Sequence, residues 1–182
     1  MANKIIITGG PGTGKTSLIT ALKANGFNCF DEISREITLE YRKKGINQLF
    51  LTDPKLFSEE LLKGRIKQYN DSKKIQSKYV FFDRGIPDII AYLNFKKTRF
   101  SDKFLKSIEE HRYDFVFLLE PWEEIYSSDK VRYESFDEVV SIDSYIQTTY
   151  KESGYNPIII PKEEIDSRLN FVLDKLNSCK DE

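Results

Sequence analysis

Gly9, Gly14, Lys15 and Thr16 stand at the spacing G-x-x-x-x-G-K-T, and Gly10, Gly12, Thr13 and Ser17 complete the stretch GGPGTGKTS. Glycines let a loop turn its backbone N–H groups inward around phosphate oxygens, in conformations that a side chain would obstruct. The apolar run at 4–8 precedes this loop, and Leu18, Ile19 and Leu22 follow it at helical spacing. That order of strand, loop and helix brings a helix N-terminus, with its partial positive charge, to the same phosphates. In such a loop Lys15 reaches the β- and γ-phosphates and the Thr16 hydroxyl is placed to ligate Mg²⁺. The ligand implied is a nucleoside triphosphate, with ATP and Mg²⁺ as the expected pair.

Three further groups carry chemistry. Asp83 closes the apolar run YVFFD, where a carboxylate can hold Mg²⁺, take a proton from an attacking hydroxyl, or simply cap the next helix, as Asp88 also can. Arg84 beside it suits a phosphate or substrate oxygen, or else a surface ion pair. Glu32 and Arg35, in FDEISRE, fall three apart at a predicted helix start, which would put them on one face. They offer a polar acceptor site, or a cap and a surface pair. Lys130 and Arg132, in SSDKVRYES, sit in a polar segment without periodicity that reads as a lid bringing Arg132 to the phosphoryl group, or as a solvated loop. His111, the sole histidine, reads as a charge at a helix C-terminus.

Elements that would position these groups alternate between strand and helix, the pattern of a parallel sheet covered on both faces. Strands are expected at 4–8, 27–31, 78–85, 114–120 and 155–161. Helices are expected at 15–25, 33–44, 54–76, 87–96, 101–111, from 136 to about 151, and at 162–178. Asp53-Pro54 supplies an N-cap and a first-turn proline for the third helix, with Phe57, Leu61, Leu62, Ile66 and Tyr69 toward the core. The fold class is α/β, a three-layer P-loop nucleotide-binding domain with five parallel strands. One domain over 1–182 is expected, with a lid at about 121–136.

The bulk composition fits this reading. Hydrophobic residues make up 40% and charged residues 31% of 182, the balance of a globular chain with one core. No apolar run approaches the roughly 20 residues of a membrane span and no secretory signal is visible, so the expected place is the cytoplasm, away from membranes. Cys29 and Cys179 have no CxxC spacing, which indicates neither a disulfide framework nor zinc. A net charge of -1 without a basic aromatic run argues against extended nucleic-acid contacts.

Together GGPGTGKTSLI, FDEISRE, FFDRGIPDIIAYL, FLLEPWEEIYSSDKVRYESF, SGYNPIIIP and RLNFVL make the chain resemble the small AAA-domain ATPases related to nicotinamide riboside kinase. The resemblance implies an adenylate-kinase-like arrangement with strand order 2-3-1-4-5 and a lid arginine. On that likeness Glu32 and Arg35 match the group's E-x-x-R, Asp83 and Arg84 its D-R-G, and Arg132 its lid arginine. Only residues 1–3 precede the first strand, so the adenylyltransferase domain fused to some riboside kinases is not expected. A GTPase switch is disfavoured, because Asn3-Lys4 runs into Ile6 without completing N-K-x-D. The expectation is a phosphotransferase moving the γ-phosphate of ATP to a nucleoside-like small molecule, with Lys15, Asp83 and Arg132 catalytic. The alternative is an ATPase without a small-molecule acceptor.

Overall fold

Alternation along the apolar runs decides which way each strand faces. In the computed structural model, which describes residues 2–126 and 135–178, the strands are β1 (Asn3–Gly9), β2 (Asn28–Phe30), β3 (Tyr79–Asp83), β4 (Phe115–Leu119) and β5 (Ile158–Ile159). They pair in parallel in the order β2-β3-β1-β4-β5. Ile5 lies opposite Phe81 and Ile7 opposite Phe117, while Ile6 lies opposite Phe82 and Val116. The first set packs with helices α1 (Lys15–Ala24) and α8 (Ile165–Ser178) on one face of the sheet. The second packs on the other face with α4 (Pro54–Ser72), α5 (Ile86–Phe95) and α7 (Phe136–Glu152). Buried on both faces, β1, β3 and β4 therefore read as nearly continuous apolar runs.

The remaining helices are α2 (Ser34–Lys43), α3 (Leu49–Thr52) and α6 (Asp102–Glu110). α3 was not expected from the sequence: a single turn, anchored by buried Leu49, has too few residues for a periodic signal. β5 keeps only two residues of its apolar run, because it pairs on one side alone, with β4. α4 starts as expected, with Asp53 accepting a hydrogen bond from the Leu56 N–H at 2.9 Å. It ends at Ser72 rather than 76, and its buried face is Ser58, Leu62, Arg65, Tyr69 and Ser72. Phe57, Leu61 and Ile66 are only half-buried, so a charged residue, Arg65, occupies the innermost stripe.

Candidate active site

The loop between β1 and α1 is shaped by close approaches as much as by any ligand. Gly9, Gly12 and Gly14 have φ of 144°, 73° and 90°, values that L side chains rarely adopt. A Cβ on Gly9 would overlap the Leu119 carbonyl at the end of β4, and one on Gly14 would lie 2.7 Å from Arg168 Nη1. A Cβ on Gly10 would press on Val139 of α7 at 3.0 Å. The Thr13 hydroxyl is spent inside the loop, donating to the Gly10 carbonyl at 3.0 Å. Thr16 and Ser17 are exposed on the first turn of α1, which carries no acidic side chain. Its N-terminal N–H groups thus have no side-chain cap and no built-in counter-charge, as an anion site requires.

Lys15 is buried and folds over the loop, donating to the Gly10 carbonyl at 2.5 Å. Burial, helped by the neighbouring Arg84 cation, pulls its pKa down to about 7 against the pull of Asp83, Asp88 and Glu32. An incoming polyphosphate would reverse that balance by supplying anionic oxygen at the ammonium. Asp83, opposite Ile7 in the sheet, is 6% exposed, and its Oδ1 has no hydrogen-bond partner among the described residues. Burial raises its pKa despite Lys15 and Arg84.

Asp83 does not cap α5; Asp88 does, accepting from the Gly85 N–H at 2.8 Å. The Asp88 carboxylate also accepts from Thr8 and Tyr150, with Arg84 Nη1 at 3.2 Å. Burial opposes its ionisation, but Arg84, Arg65 and those two hydroxyls outweigh it and hold its pKa below the ordinary range. Asp88 thereby ties β1, the start of α5 and α7 together. Arg84 itself has φ of 72°, an uncommon backbone state for a long side chain that surrounding contacts must hold. Those contacts include its N–H on the Ile7 carbonyl at 3.0 Å, Glu32 at 2.8 Å and the Tyr92 ring.

Glu32 and Arg35 do not share a helix face. α2 begins at Ser34, so Glu32 precedes it and turns inward, because two guanidinium groups hold it there. Arg65 Nη2 donates to both its oxygens at 3.0 and 3.2 Å, Arg84 Nε to Oε2, and the Ser34 N–H to Oε1 at 3.1 Å. Arg35 is exposed and makes no hydrogen bond or ion pair among the described residues. Arg65 was missed by the sequence reading, although its position in phase with Leu62 and Tyr69 was visible. Lys130 and Arg132 lie outside the described residues, as does Cys179.

Beside the loop, a cleft of about 320 Å³ is lined by Gly12, Gly14, Ser17, Trp122, Ile125 and Arg168, among others. Arg168 stacks 4.6 Å from the Trp122 ring and donates to the Thr13 carbonyl at 3.3 Å, bracing the loop from α8. RLNFVL contributed to the family resemblance, but nothing in the spacing assigned Arg168 a place.

With that geometry in hand, a sequence profile described as AAA domain matches residues 4–168. The chain belongs to the AAA domain family. Comparison with curated protein sequences gives no match. Among solved structures, this family member resembles deoxyadenosine kinase from M. mycoides with products dCMP and dCDP bound, at 16% identity and a TM-score of 0.69, covering 96% of this chain and 99% of that one. Thymidylate kinase from Candida albicans aligns at 15% identity and a TM-score of 0.70, over 98% and 92%. The NadR protein in complex with NR aligns at 17% identity and a TM-score of 0.72, over 97% of this chain and 50% of that one. At these identities what is shared is the fold, which in this chain is a five-stranded parallel sheet in the order β2-β3-β1-β4-β5 with helices on both faces.

Proposed function

We propose that this AAA domain protein is an ATP-dependent phosphotransferase acting on a nucleoside-like small molecule. The observation that carries this reading is Asp83: a buried carboxylate with an unpartnered oxygen beside Lys15, on the strand next to the loop. A group left unsatisfied at a strand end is explained by a ligand better than by folding. The fold neighbours named above, which phosphorylate or bind nucleosides and nucleotides by their descriptions, support the same direction.

On this reading the loop N–H groups and Lys15 hold the triphosphate, and the cleft against Trp122 and Arg168 receives the base. Thr16 and Asp83 would hold Mg²⁺, which fits their oxygen chemistry, and the ion would neutralise charge on the phosphates. The acceptor hydroxyl oxygen forms a bond to the γ-phosphorus as the bond from that phosphorus to the bridging oxygen of ADP breaks. The hydroxyl proton passes to the Asp83 carboxylate. The segment at 121–136 would act as a lid, and Arg132→Ala should lower kcat by roughly 10³-fold or more while changing the KM for ATP far less.

The deciding experiment incubates the protein with Mg²⁺ and γ-labelled ATP, with and without pooled nucleosides, nucleotides and sugars. Label on an acceptor supports the reading. Rapid phosphate release that no acceptor diverts would favour the simple ATPase instead.

A further inference from the structure

Arg168, in the first turn of α8, is 5% exposed and meets no carboxylate within ion-pair distance among the described residues. Its partners are neutral. Nε donates to the Glu163 carbonyl at 2.6 Å, Nη1 donates to the Thr13 carbonyl at 3.3 Å, and the guanidinium stacks on the Trp122 ring. Of the five N–H donors in an arginine fork, these two bonds use two and leave three without a partner among the described residues. The same side chain lines the cleft beside the loop, together with Gly12, Gly14 and Ser17. A charge taken out of water without a counter-ion is costly to a fold. Burial accordingly holds the Arg168 pKa below the ordinary arginine range, and the field of Glu164 does not restore it. Glu163 and Glu164 also line the cleft, but both are exposed, where solvent screens them. The donors left over call for an anion from outside the chain.

Which part of a nucleotide that anion is follows from the other buried cation of the loop. Lys15 contacts the Gly10 carbonyl and Arg168 the Thr13 carbonyl, so the two hold different stretches of it. A triphosphate with its β- and γ-phosphates at Lys15 extends its α-phosphate and nucleoside toward the start of the helix, where Gly14, Ser17 and Arg168 border the cleft. Resting on the nucleotide site of the phosphotransferase reading, we infer that Arg168 binds the α-phosphate of the nucleotide. It supplies from α8 a counter-charge that Lys15 provides for the other two phosphates. The stack on Trp122 and the two carbonyl bonds orient the fork before any ligand arrives, which lowers the ordering cost of binding. ATP and ADP carry the same α-phosphate, so this contact is made equally in substrate, transition state and product. It acts on affinity and leaves the chemical step alone.

The test measures the binding of ATP and ADP with Mg²⁺, and of AMP and adenosine, to the whole protein by titration calorimetry. Arg168→Gln keeps an N–H for a carbonyl and removes the charge. Its affinity for ATP and for ADP should fall by the same factor, about tenfold or more, the scale of a charge-assisted hydrogen bond. Its affinity should also decline less steeply with added NaCl than that of the wild type. Arg168→Lys should keep the wild-type salt dependence and part of the affinity, since an ammonium lacks the planar fork. If Arg168 only braces the loop, the glutamine variant loses affinity with its salt dependence unchanged, which would overturn the inference. A loss confined to ATP would overturn it too, by moving the contact to the γ-phosphate. In the wild type, with no variant needed, AMP should displace ADP better than adenosine does by about tenfold or more; equal displacement would count against an α-phosphate contact. If the wild type binds neither ATP nor ADP, the phosphotransferase reading falls and this one with it. If both bind as described and no acceptor is labelled, the transfer reading falls alone and the assignment of Arg168 stands.

Discussion

Lys15 opens α1 and Asp83 closes β3; both are buried, and Asp83 Oδ1 has no hydrogen-bond partner among the described residues. Lys15→Ala should abolish turnover and weaken ATP binding, measured by titration calorimetry with Mg²⁺, because the ammonium's one strong contact is to a carbonyl of its own loop. The fold should survive, as judged by circular dichroism. Unchanged ATP affinity would remove Lys15 from the site. Asp83→Asn keeps the volume but loses charge and basicity, so kcat should fall by about a hundredfold or more. Since Asp88 and not Asp83 caps α5, the thermal midpoint should change little. A large loss of stability with full residual activity per folded molecule would reassign Asp83 to the scaffold.

Among elements, α4 carries the least expected contribution. Its inward stripe places Arg65 between Glu32, which precedes α2, and the Asp83 carbonyl at the end of β3, reached by Nη1 at 3.3 Å. The helix therefore reaches the edge of the sheet through an ion pair as well as through Leu62 and Tyr69. Removing one partner of a buried pair strands the other. Arg65→Leu should destabilise the protein by about 3–5 kcal/mol in urea unfolding. Adding Glu32→Gln should cost less in that variant than in the wild type, because the carboxylate has already lost one of its two guanidinium partners. Additive losses in the double variant would show that the two side chains do not interact energetically. Arg65 was open to detection as a charge in a core phase, but its partners stand 33 and 18 positions away, and no periodicity reports distances of that kind.

For the whole molecule, Asp143 links stability to pH. Burial raises its pKa from the ordinary 3.8 to about 6, opposed by Gln147, whose amide donates to it at 2.8 Å. The native state therefore holds this proton more tightly than the unfolded chain does. The resulting stabilisation is fully present below pH 3.8 and is lost as pH rises through about 6. Asp143→Asn has no such proton to lose. Relative to wild type it should gain on the order of 2 kcal/mol between pH 4 and pH 7.5. The difference between the two proteins, read from thermal or urea unfolding across that range, isolates this residue from every other titrating group. A difference that does not vary with pH would show that the carboxylate is as well solvated in the fold as outside it.

Local signals were enough for much of this protein. The glycine spacing around Lys15, the β-branched run before it and the helical phase after it are all properties of adjacent residues, and they locate the glycine loop between β1 and α1 within Lys4 to Ile19. The run of apolar residues in β1, β3 and β4 marks strands covered on both faces, and Asp53-Pro54 starts α4 where it was expected. Three-dimensional closure decided the rest. Whether Glu32 belonged with Arg35 depended on where α2 begins, and that is set by Arg65 and Arg84 drawing Glu32 inward. Which aspartate caps α5 and which keeps a free oxygen was settled by Thr8 and Tyr150 reaching Asp88 from separate parts of the chain. The pairing of buried charges is a sum over long-range contacts, each exchanging desolvation for one specific partner. Residue type and local spacing name the candidates for such contacts, and only packing chooses among them.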